Sequence, residues 1–192
     1  AHAKASGSGS SGILYWATDL YQQHENGAYM DIEDYYGEDA IRYPRGEAYD
    51  GLQEYRKPIE YGKAEWIYEE DEIAILAVGS MVKVAVKVKE QLENAGYHPT
   101  IINMRFVKPL DTQLLDEVAV DHSLIVTMEE NVKNGGFGEK VLHYFNEKEY
   151  DAKVRIVAIE DQFVSHGSVG DLMKQQKMDA DSVTERIRNW KK

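Results

Sequence analysis

Four short runs in the chain carry residue types that can do chemistry. Arg42-Tyr43-Pro44-Arg45-Gly46 places two guanidiniums beside a rigid turn. Forked donors of this kind suit a phosphate or a carboxylate. Pro44 fixes the local backbone and Gly46 allows close approach. The plain alternative is that both arginines pair with surface acids, which this chain supplies freely. Glu129-Glu130-Asn131 leads into Gly135-Gly136-Phe137-Gly138. That run lies just past an expected strand, at the end where open α/β sheets place ligands or contacts. Its glycines let the backbone turn sharply into a helix whose N-terminus favours an anion. Two acids immediately upstream argue against a bound phosphate. A partner-facing turn, or a carboxylate bonded to backbone N–H groups, fits the residues better, and a tight connection with solvated acids is the plain alternative. Gly79-Ser80 also sits between an expected strand and a helix, where a serine N-cap accounts for it. His166-Gly167-Ser168 precedes a short expected helix. A lone histidine with no partner or cleft visible in the sequence is read as structural or exposed.

Other chemistries are missing. No G-x-G-x-x-G follows the first strand of the regular region, and no G-x-x-x-x-G-K-[ST] phosphate loop occurs. H-E-x-x-H and G-x-S-x-G are absent. The histidines His2, His24, His98, His122, His143 and His166 are scattered, with no pair at metal-ligand spacing on one helix. With no cysteine there is no disulfide, thiolate site or cysteine nucleophile. The sequence therefore predicts no catalytic residue and no metal site in this chain. Among its 192 residues, 34 Asp and Glu against 22 Lys and Arg give a formal charge of −12. Such a surface repels phosphate backbones, so no nucleic-acid partner is expected. No apolar run approaches the roughly 18–20 residues of a membrane span, and the start does not read as a secretory signal. A cytoplasmic setting is expected.

The elements that must position these runs begin late in the chain. Residues 1–12 are Gly/Ser-rich and read as an expression tag or flexible linker. Residues 13–38 form an unassigned Tyr-rich segment, with apolar spacing from Ile13 to Tyr21 that fits one helical face. Residues 39–58 read as a strand end followed by a linker, broken by Pro44, Gly46 and Gly51. From residue 59 onward strands and helices alternate. Expected strands are Glu65–Glu70, Ile73–Val78, Thr100–Met104, Leu124–Met128 and Val154–Ile159. Expected helices run from Met81 to Ala95 (closed by Gly96), after an Asp111 N-cap, from the Glu129–Gly138 loop through Phe145, after Ser168, and after a capping box at Ser182-x-x-Glu185. The fold class is α/β: a three-layer α/β/α arrangement with a mostly parallel five-stranded sheet.

The strings IRYPRGEAYDG, PIEYGKAE, IAILAVGSMV, INMRFVKPLD, LIVTMEENVKNGGFGEKV and the late HGS resemble the C-terminal third of the 1-deoxy-D-xylulose-5-phosphate synthases. These belong to the transketolase-like, thiamine-diphosphate-dependent group. The resemblance covers about Ala40 to Lys192 and implies a transketolase C-terminal-like domain over 59–192. For the whole enzyme it implies condensation of pyruvate with glyceraldehyde 3-phosphate, using thiamine diphosphate and magnesium, to begin isoprenoid precursor synthesis. In that family the cofactors lie between an N-terminal domain, which carries a Gly-Asp-Gly motif, and a central domain. This chain has no such motif, since Gly170-Asp171 is followed by Leu172. The resemblance makes RYPRG the last strand of the central domain and implies contact with the acceptor's phosphate by Arg45 first and Arg42 second. It implies interface or domain contacts for Glu129, Glu130, Asn131, Gly136, Phe137 and His166. Two departures stand out: Gly37-Glu38-Asp39 replaces the usual Gly-Pro before that strand, and residues 13–36 do not match the family's upstream helix.

The resulting expectation is a scaffolding and dimerisation module that binds no cofactor and has no activity alone. Its partners are the remaining domains of the parent enzyme and copies of itself. Two alternatives stand beside it: an engineered fusion or binding module using the domain as carrier, and the equivalent domain of another transketolase-like enzyme.

Overall fold

The computed structural model describes residues 51–52 and 59–191. The expectations for residues 1–12, 13–38 and 39–50, with Arg42 and Arg45 among them, lie outside the described residues. Five strands form one sheet: β1 (Glu65–Tyr68), β2 (Glu72–Ala77), β3 (Thr100–Asn103), β4 (His122–Val132) and β5 (Lys153–Ile159). Their spatial order is β1-β3-β2-β4-β5. β2 runs parallel to β3 and β4, and β4 runs parallel to β5; only β1 is antiparallel, to β3. The helices are α1 (Met81–Glu93), α2 (Thr112–Asp121), α3 (Phe137–Glu147), α4 (Val169–Gln175) and α5 (Ala180–Lys191).

The layers follow from the continuous apolar runs. Ile73 to Ala77 are at most 1% exposed, so β2 needs cover on both faces. Alternation sends Ile73, Ile75 and Ala77 to one side, where they meet Leu124, Val126 and Met128 of β4, Ala85, Val88 and Leu92 of α1, and Val183 and Ile187 of α5. Ala74 and Leu76 go to the other side, with Leu115 and Val118 of α2 and Phe137, Val141 and Phe145 of α3. Each fully buried Ile, Leu or Phe contributes about 1.5–3 kcal/mol of burial.

The helix ends show where local rules hold and where they yield. At the end of α1, Gly96 takes φ +83°, and the Tyr97 N–H donates to the Leu92 carbonyl at 3.0 Å while the Gly96 N–H donates to Glu93 at 3.0 Å. This is a left-handed C-terminal stop of the kind glycine permits. Asp111 caps α2 by accepting from the Leu114 N–H at 3.3 Å, and it also accepts from the Ala64 N–H at 3.0 Å. Ser168 caps α4 by accepting from the Asp171 N–H at 3.2 Å. The capping box expected at Ser182 is corrected: α5 starts earlier, and the Asp179 carboxylate accepts from the Ser182 N–H at 3.2 Å and its hydroxyl at 2.6 Å. The shorter acid, one turn upstream, reaches those donors without bending the chain.

Two polar clusters tie elements together. His122 is buried, with ring nitrogens 2.9 Å from the Val118 carbonyl and 2.9 Å from the Thr100 hydroxyl. It links α2 to the start of β3 and serves as a structural histidine. Asp116 of α2 accepts from the Tyr144 hydroxyl at 2.5 Å and from Tyr150 at 2.8 Å. The bond from Tyr144, then that from Tyr150, holds the Asp116 carboxyl below its ordinary value. Burial, followed by the bond to Asp116, pushes Tyr144 up to about 12.

Two outcomes are expected. Leu92→Ala should cost about 2–5 kcal/mol in urea unfolding, whereas Val120→Ala, at an 80% exposed position, should stay within about 0.5 kcal/mol. In the pH titration the signs oppose one another. Raised in the fold, Tyr144 contributes stability that is full below its unfolded value near 10 and lost as pH rises through about 12. Lowered in the fold, Asp116 contributes stability lost only as pH falls through its depressed value. Ultraviolet titration of tyrosinate should show a late-ionising tyrosine, and Asp116→Asn should advance it; an unchanged curve would refute the pairing.

Candidate functional site

The sequence points to the carboxyl end of the sheet, and there the chain brings several of its singled-out runs together. β4 extends further than expected. Its ladder to β5 shifts register after Met128 and resumes with Val132 opposite Ile159. Glu129, Glu130 and Asn131, expected in a loop, therefore belong to the strand. The physical reason is the neighbouring end of β5, which offers backbone partners: the Lys133 N–H donates to the Ile159 carbonyl at 2.8 Å.

Glu129 turns inward. It is 4% exposed, and its two carboxylate oxygens accept from the Phe137 and Gly138 N–H groups at 2.8 Å each. These are free donors of the first turn of α3, which has no side-chain cap at Gly136. The positive helix end thus holds an anion supplied by the chain itself. Of the alternatives open in the sequence, the carboxylate bonded to backbone N–H groups is the arrangement found at Glu129. The glycines make room for it. A Cβ on Gly136 would lie 2.5 Å from Glu129 Oε1, and one on Gly138 would lie 2.5 Å from Thr127 Oγ1 and 2.7 Å from Ile156 Cγ2. Gly135 takes φ +71°, and its N–H donates to the Glu139 carboxylate at 2.6 Å. Phe137 is 1% exposed and packs in the α2–α3 layer. Glu129, Gly136 and Phe137 are thus engaged inside the domain, whereas Glu130, Asn131 and His166 are exposed.

Ser80 corrects a second expectation. It has helical φ and ψ and makes no side-chain cap bond. Its hydroxyl instead donates to the Glu130 carboxylate. β2 and β4 are adjacent, and their crossovers leave in opposite directions along the sheet, so this pair sits at the topological switch point. The sequence gives no sign of this bond, because its two partners are far apart along the chain. At the end of β3, Arg105 takes φ +51°, its guanidinium pairs with Glu65, and its N–H donates to Asn103 Oδ1 at 3.2 Å. Sequence reading passes over this arginine within INMRFVKPLD. After β5, residues 160–168 form an exposed stretch carrying Phe163 and His166. Among the described residues His166 makes no hydrogen bond or ion pair.

One trio among the described residues, Glu70, Glu93 and His98, brings possible ligand atoms within 4.8 Å of one another. The Lys89 ammonium already lies 2.8 Å from Glu93 and 3.7 Å from Glu70, so an internal cation meets that charge. No described helix is long and apolar enough to cross a membrane. In the described part of this end the carboxylate of Glu129 is met by the chain's own N–H groups, the buried Thr127 hydroxyl beside Gly138 has no hydrogen-bond partner among the described residues, and exposed polar groups border the site.

Glu129→Ala should therefore strand two buried N–H donors. We expect a loss of about 2–4 kcal/mol in denaturant unfolding, with faster amide exchange at Phe137 and Gly138. Gly138→Ala should cost about 1–3 kcal/mol through overpacking against Thr127 and Ile156. Wild-type exchange rates in Glu129→Ala would refute the internal-anion assignment.

Comparison with known proteins accords with this geometry. The family described as transketolase, C-terminal domain, matches residues 62–183. A 1-deoxy-D-xylulose-5-phosphate synthase from Lachnoclostridium phytofermentans is 44% identical over 155 residues, which is 80% of this chain and 25% of that protein. One from Clostridium perfringens is 42% identical over 145 residues, 75% of this chain and 23% of that protein. The chain thus spans about a quarter of the length of these curated relatives. Among solved structures, a split-gene transketolase described as an inactive β4 tetramer superposes with TM-score 0.63 at 28% identity, covering 70% of this chain and 43% of that one. A transketolase from Pichia stipitis shares the fold, with TM-score 0.50 at 18% identity over 67% of this chain and 18% of that one. With its mostly parallel five-stranded sheet between helical layers and a family match over 62–183, the chain belongs to the transketolase C-terminal domain family.

Proposed function

We propose that this chain is the C-terminal part of a 1-deoxy-D-xylulose-5-phosphate synthase, and that its own role is to brace and help assemble the parts that carry the chemistry. The observation that carries the reading is the 44% identity to such a synthase over 155 residues that make up only 25% of the relative. In the whole protein the reaction would condense pyruvate with glyceraldehyde 3-phosphate and release carbon dioxide. Thiamine diphosphate supplies the carbanion chemistry of such enzymes, with magnesium holding its diphosphate.

The described residues do not fit that cofactor. The α3 N-terminus, a natural diphosphate cradle, is filled by Glu129. Asp171, which follows Gly170, accepts from the Ser168 hydroxyl at 2.6 Å on an exposed short helix. Both features support the reading that cofactor and metal are held by parts outside this chain. Arg45, with Arg42 second, is the proposed contribution to substrate binding, as forked donors toward the phosphate of the acceptor sugar. Self-association as a dimer or larger assembly belongs to the same reading, since the split-gene neighbour is described as a tetramer that is inactive. The setting is proposed as cytoplasmic.

The test has two arms. The purified chain, supplied with pyruvate, glyceraldehyde 3-phosphate, thiamine diphosphate and magnesium, should form no deoxyxylulose phosphate. Exchanging residues 40–192 for the corresponding quarter of the Lachnoclostridium phytofermentans synthase should give an active chimera. In that chimera Arg45→Ala should raise KM for glyceraldehyde 3-phosphate about tenfold or more, the loss of a charge-assisted bond, with KM for pyruvate little changed. Turnover by the isolated chain, or an unchanged KM, would overturn the corresponding part.

A further inference from the structure

The stretch after β5 is anomalous for a satisfied domain. From Glu160 to Ser168 the chain has no regular structure, and its internal backbone bonding comprises a Gln162 N–H to Glu160 carbonyl bond at 2.7 Å. Phe163 is 108% exposed, more open than the reference for a free residue, and Val169 is 65% exposed. Val132, 41% exposed, ends β4 opposite Ile159, where this stretch begins. An exposed aromatic, the exposed Val169 and the unengaged His166 therefore follow one another along a single irregular stretch, which leaves β5 beside Val132. A single exposed apolar side chain is ordinary, but a fully bared aromatic in a structureless stretch beside further apolar residues marks a contact surface. Among the described residues none covers Phe163.

We infer that the 160–169 stretch is a docking surface, with Phe163 as its anchor, for the part of a synthase polypeptide that precedes this region in the longer relatives. The inference rests on the proposed function and deepens it by naming the partner and the residue. Two observations favour this occupant over a second copy of the chain. First, the chain spans only about a quarter of its relatives, so most of such a protein lies outside it. Second, the stretch carries the exposed acids Glu160 and Asp161, with the exposed Asp171 just after it, on a chain of net charge −12. A two-fold contact would set those acids against their own copies. Their local partners are slight: Glu160 lies 3.6 Å from Lys133, and Asp161 accepts from the Asn134 amide at 3.1 Å. The surface therefore calls for an apolar socket with a basic or donor-rich rim. Aromatic anchors seated in such sockets dominate interface energies.

The experiment follows hydrogen exchange across residues 160–169 in the 192-residue chain and in the chimera with the Lachnoclostridium phytofermentans synthase, and measures binding of the chain to that synthase lacking its matching quarter. The stretch should exchange freely in the isolated chain and be protected in the chimera. Phe163→Asp should weaken binding in trans about tenfold or more and lower the chimera's melting temperature while leaving that of the isolated chain unchanged. Phe163→Leu should retain most of the binding. Equal exchange in both settings, or a Phe163→Asp variant that binds like wild type, would overturn the anchor while the scaffold reading stands. Dissociation of self-assembled isolated chains by Phe163→Asp would assign the surface to a second copy and overturn the inference. An inactive chimera that still protects 160–169 would count against the proposed activity and leave the docking surface upheld.

Discussion

The structure depends on β2 and β4 being buried on both faces at once. The successive buried side chains of Ile73–Ala77 and Leu124–Met128 leave no face to offer water, so helices must lie above and below them. Ile75 sits between Ile101 and Val126 in register, and all three are fully buried. Once that triplet is in place, α1 and α5 are committed to one side and α2 and α3 to the other. The polar devices described above then act at the margins. Asp116, His122 and Glu129 each fasten one helical element to the sheet or to another helix, and none of them lies at the centre of either layer.

Most of this architecture is legible in the sequence, for a reason visible in particular residues. The run Ile73–Val78 is short, apolar and followed by Gly79, while Ala85, Val88, Leu92 and Ala95 repeat at helical spacing. Those periods depend on local geometry alone, and tertiary packing agrees with them. What the sequence hides is whatever a distant partner decides. Ser80 reads as a cap because serine before a helix usually is one, yet Glu130 claims its hydroxyl. β4 reads as ending at Met128 because Glu129 and Glu130 are acidic, yet the adjacent end of β5 draws the strand on to Val132. Glu129 is left between two destinies in the sequence because its choice depends on where α3 begins in space. The bareness of Phe163 is likewise invisible in one dimension, since exposure is a sum over everything that fails to approach.

The two ends of the proposed division of labour are physically consistent. At Glu129, and at Gly135 with Glu139, the helix terminus and the glycine turn are bonded by the chain's own carboxylates. Where groups are left over, as along 160–168, they lie at the perimeter. A bracing element is expected to look this way: closed within, with contact surfaces at its rim.

Glu129 has one more consequence. A side chain lodged where a dissolved anion would otherwise bind makes that binding intramolecular, and no solute can compete well with a tethered occupant. Cutting the tether with a small residue would turn the pocket into a vacancy whose filling depends on the solution. Phosphate or sulfate would then act as a folding cofactor for the altered protein, and buffer composition would enter its melting temperature. The natural chain is spared that dependence.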